Sequence, residues 1–77
     1  MELKAIDMNK SNTAYVIYNM ELFLSAVFSD AQERMEVIEW ALPQVIADIE
    51  ETADENFNDS DIRIALARVL YNKIMNN

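Results

Sequence analysis

Seventy-seven residues make one small domain, with 52% hydrophobic residues, one Pro, no Gly, no Cys, no His and a net charge of −8. The hydrophobic share excludes a disordered chain. The missing residue types exclude disulfides, the usual zinc ligand sets, nucleophile–His pairs, P-loops and dinucleotide fingerprints.

Without Gly and with a single Pro, helices are favoured over tight-turned β structure, and any residue at positive φ must be Asn or Asp. The expected fold is all-α, a three-helix domain. A chain this short buries only about 60–65% of its unfolded surface, so a lone copy is marginally stable. The absence of Cys suits a reducing compartment. The start MELKAID is charged and lacks a long apolar run, so it does not read as a secretory signal. A cytoplasmic location is the expectation.

Residues 1–10 read as an arm or a first helical turn. A first helix follows, about 12–28, capped by Ser11 or Asn12. Its stretch AYVIYNMELFLSAVF holds only three plainly polar residues, Asn19, Glu21 and Ser25. At 100° per residue, Val16, Met20, Phe23 and Val27 fall on one line, with apolar residues on both flanks. A membrane span needs about 20 apolar residues. Glu21 interrupts a shorter run, so insertion is not expected.

A second helix covers about 30–52. Ser29 and Gln32 have capping-box spacing. Ala31, Met35, Ile38, Leu42, Val45 and Ile49 repeat as a seam of heptad type. Pro43 projects away from it and is predicted to kink the helix or split it after Leu42. Trp40 falls opposite the seam, among acids: either an exposed interface anchor or ordinary packing against a neighbour. Residues 54–59 are a loop anchored by Phe57. Asp54-x-Asn56-x-Asn58 begins like a calcium loop, but Asp59 and Ala65 stand where Gly and Glu are required, so no metal is expected. A third helix, about 60–75 and capped by Asp59 or Ser60, carries two apolar faces. Ile62, Ala65, Leu66, Val69 and Leu70 form one; Ile64, Ala67, Tyr71, Ile74 and Met75 form the other.

The first and third helices carry more apolar face than one neighbour each can cover. A homo-oligomer, most simply a two-fold dimer, is the expectation. Val16, Met20, Phe23, Val27, Ile64, Tyr71 and Ile74 are its candidate interface. The alternative is a tight bundle with a greasy surface.

Between Arg34 and Arg63 lie nine acids and no base. Either this is a solvated face, or it docks a basic protein surface such as a nucleic-acid-binding site, presenting carboxylates where phosphates would sit. For docking, the candidates are Glu36, Glu39, Trp40, Asp48, Glu50, Glu51, Asp54 and Glu55. Direct nucleic-acid binding is not expected, because the six bases are scattered. The expected function is a non-enzymatic inhibitor or adaptor that occludes a basic partner, with no cofactor. Two alternatives stand beside it. One is a ligand- or nucleotide-binding oligomer with pockets between subunits, lined by Tyr15, Tyr18, Tyr71 and Lys73 or Arg68. The other is a structural assembly subunit. In being compact, acidic, Gly-poor and helical, the chain is similar to small phage-encoded proteins that block a host machine. That likeness rests on type alone and places no residue.

Overall fold

A computed structural model of the chain describes residues 8–76. It consists of three helices: α1 at Lys10–Leu24, α2 at Ala31–Thr52 and α3 at Asp59–Met75. No strand occurs among the described residues. Most of the expected arm, residues 1–7, lies outside them. Met8 packs against the core.

α1 and α3 begin one or two residues earlier than expected, α2 one residue later, and each starts on a different cap. Asn9 caps α1: the Asn12 N–H donates to Asn9 Oδ1 at 2.8 Å. Asp30, not Ser29, caps α2 by accepting from the Gln32 N–H at 3.1 Å. Asn58, not Asp59 or Ser60, caps α3. Its Oδ1 accepts from Ser60 and Asp61 N–H groups, while Asp61 Oδ2 accepts the Asn58 N–H at 2.9 Å. This reciprocal box satisfies donors that a helix start leaves open. The turns need no residue in the left-handed region: among the described residues no φ is positive. Asp54 instead folds the α2–α3 loop by accepting from the Asn56 N–H at 2.9 Å.

α1 stops four residues short of the expected Phe28. Ser25 Oγ donates to the Leu22 carbonyl at 2.7 Å, and the Val27 N–H closes on Leu24 at 2.9 Å, one residue tighter than an α turn. Arg34 then clamps this end to α2. Its Nε donates to Glu21 Oε1 and its Nη1 to the Phe28 carbonyl, each at 2.7 Å.

α2 runs unbroken through Pro43, which corrects the expectation of a split after Leu42. Pro43 is exposed, so the Glu39 carbonyl that loses its donor is on the wet side, where water can serve it.

The core joins Val16, Met20 and Leu24 of α1 to Ala41, Val45 and Ile49 of α2 and to Ile62, Ala65, Leu66 and Val69 of α3, with Phe57 from the loop. Each fully buried large side chain among these contributes about 1.5–3 kcal/mol. The inward stripe of α1 is therefore Val16, Met20 and Leu24. Phe23 is half-buried and Val27 is 73% exposed. Val16 and Met20, assigned above to an oligomer interface, are fully buried within one copy and present no surface to another.

The seam of α2 is also corrected. Ala31 is exposed and Met35 is 58% exposed, while Ala41 is fully buried. A 3.5-residue repeat drifts off a straight 3.6-residue helix, so the first positions of the seam fall beside the inward stripe rather than on it. The expected inner face of α3 is the one that packs. Asn19, the buried polar residue, donates from Nδ2 to the Tyr15 carbonyl at 2.9 Å.

Candidate interaction surface

α2 and α3 run antiparallel. Lys73, near the end of α3, sits over the Trp40 ring at 5.6 Å, and Arg68 Nε donates to Asp48 Oδ2 at 2.8 Å. α1 meets α3 through Arg63, stacked over Phe23 at 5.8 Å, and meets the loop through Tyr15 and Phe57, whose rings lie 5.9 Å apart. These contacts decide which face each candidate residue presents.

The acids expected to dock a partner do not form one patch. Asp48 is half-buried and committed to Arg68. Its hydrogen bond raises the Arg68 guanidinium above its ordinary range, desolvation opposes this, and the charges of Asp48 and Glu51 add to the rise. Arg68 therefore stays charged at any working pH, and Glu51 is partly offset by it. Glu39 is on the opposite side of α2, beside α1. Glu36 and Glu50 are exposed on α2. Asp54 and Glu55 are exposed on the loop.

Glu50 and Glu51 occupy the last turn of α2, which holds no base, so they oppose its dipole. Asp59 and Asp61 occupy the first turn of α3, where the dipole favours them. Trp40 is 38% exposed: it leans on the end of α3 and shows an edge to water.

The apolar surface is more continuous than the acidic one. On α3, Ile64, Ala67, Tyr71, Ile74 and Met75 all face outward, with Tyr71 62% and Ile74 73% exposed. Ala67 also lines a groove of about 400 Å³ with Leu22, Phe23, Ala26 and Val27 of the α1 end. The outer face of α3 thus continues onto α1. A second groove, about 460 Å³, lies between α1 and α2 and is lined by Ala14, Ile17, Tyr18, Met35 and Ile38, with Glu21 and Glu39 at its rim. Periodicity could not find this groove, because Met35 and Ile38 match the core seam. The drift of that repeat around α2 leaves Met35 exposed beside α1, with Ile38 partly buried below it.

The aromatic ligand pocket is not assembled within one copy. Tyr15 is on Phe57, Tyr18 in the α1–α2 groove and Tyr71 on the outer face of α3. Among the described residues no group of three or more His, Cys, Asp or Glu side chains is placed to hold a metal, and no helix is long and apolar enough to cross a membrane. Comparison with protein-family models, curated proteins and solved structures returned no match for this chain.

Proposed function

We propose that this chain is a non-enzymatic interaction module that associates with itself through apolar helix faces and docks a basic protein surface through acids at the α2–α3 end. It acts as an inhibitor or adaptor by steric occlusion. The observation that carries this reading is the outer face of α3. It is apolar over about three turns, exposed, continuous with Leu22 and Val27, and backed by a packed inner face. Contiguous exposed apolar surface on a small domain marks an interface. Glu50, Glu51, Asp54 and Glu55 supply the polar half of the reading, with Trp40 as an apolar anchor nearer the other end of α2. A cytoplasmic setting accords with the absence of Cys.

The test immobilises the chain and compares its retention of basic proteins from the native host with that of a Glu50→Lys/Glu51→Lys variant. Both side chains are exposed, so the fold should persist in circular dichroism. Retention should be lost in the variant and should weaken steeply with salt, since the screening length falls from about 10 Å at 0.1 M to about 3 Å at 1 M. Unchanged retention would remove the acidic end from the function. A Tyr71→Glu variant should lose avidity while keeping single-site binding.

A further inference from the structure

We propose that copies of this chain associate head to tail, the outer ridge of α3 in one copy seating in the α1–α2 groove of the next. The inference rests on the self-association half of the function above and specifies its geometry. The two surfaces are separate on one molecule and opposite in chemistry. The ridge is Ile64, Ala67, Tyr71 and Ile74, a helical apolar stripe with Arg63 on one flank and Arg68 on the other at 100° per residue. Arg63 stacks on Phe23 and pairs with no carboxylate among the described residues, so its charge is uncompensated.

The groove has an apolar floor of Ala14, Ile17, Tyr18, Met35 and Ile38. Glu39 at its rim pairs with no base among the described residues, and Glu36 is exposed one turn earlier on α2. An apolar ridge with the free cation Arg63 on its flank, in an apolar groove with an anionic rim, is a helix-in-groove fit.

The competing arrangement, a two-fold pairing of α3 on α3, sets like against like. Antiparallel ridges would set each Arg63 beside the apolar end of the partner's ridge, where its charge finds no carboxylate, and the acid-rimmed groove would stay empty. Loss of that charge complementarity disfavours the pairing. A ridge and a groove on different faces also leave every docked copy with one free surface. Growth therefore continues past two unless the rotation closes a ring.

Two variants separate the cases. Tyr71→Glu/Ile74→Glu disables the ridge and leaves the groove; Tyr18→Lys/Met35→Lys disables the groove and leaves the ridge. All four positions are exposed, and circular dichroism checks that each variant stays helical. Head-to-tail docking predicts that each variant alone sediments at the single-chain mass of 8.9 kDa. A one-to-one mixture then forms a capped pair that grows no further. Should either variant lose its helical signal, Glu39→Arg and Arg63→Glu take the same two roles, and their combination in one chain should restore association.

A groove variant that self-associates like the parent overturns the head-to-tail geometry while leaving self-association standing. A parent chain that stays at the single-chain mass at every concentration overturns both.

Discussion

Three short polar side chains decide where the helices begin, and each has a rival beside it. Ser29 and Asp30 can both cap, as can Asn58, Asp59 and Ser60. Spacing alone therefore located each helix start to within a few residues but named the wrong cap each time, where Asn9, Asp30 and Asn58 serve. Asp30→Ala should cost about 0.5–2 kcal/mol in urea denaturation and Ser29→Ala close to nothing. Equal costs would mean that the Asp30–Gln32 bond does not hold the helix start. Met20 is the corresponding test of the core. It is fully buried and central to three helices, so Met20→Ala should cost about 2–5 kcal/mol through lost transfer energy and the cavity left behind. A cost under about 0.5 kcal/mol, the surface-substitution range, would place Met20 on a surface.

At the scale of the helix, hydrophobic periodicity was enough for three helices, their order and the inner face of α3, because each pattern repeats over several turns. Inward lines drawn at heptad spacing were less faithful. They put Met35 on the seam of α2 and Val27 rather than Leu24 on the main line of α1, where the structure buries Ala41 and Leu24. The divergence has a physical source: neighbours decide which stripe is covered, and a 3.5-residue repeat drifts around a 3.6-residue helix. Pro43 tests the helix itself. Pro43→Ala restores a donor for the Glu39 carbonyl and removes the ring's clash. It should stabilise by up to about 3 kcal/mol, and each kcal/mol raises Tm by roughly 4–8 °C in a domain this size. Residual dipolar couplings should show the parent axis bent at Pro43 and the variant straighter. A lower Tm would mean that the proline contributes more by restricting the unfolded chain than it costs in the helix.

For the whole molecule, charge and grease are sorted onto different surfaces. Acids gather on α2 and the loop, bases flank α3, and the apolar outer face of α3 has no cover among the described residues. The sequence disclosed the excess of apolar surface but not its placement. Val16 and Met20 looked as available as Ile64 and Tyr71 until packing separated them. Sedimentation equilibrium of the parent chain across micromolar to millimolar concentrations tests this most directly. The average mass should rise above 8.9 kDa with concentration and return to that value in the Tyr71→Glu/Ile74→Glu variant. A parent chain that holds 8.9 kDa throughout, without binding an apolar-surface dye, would contradict the account.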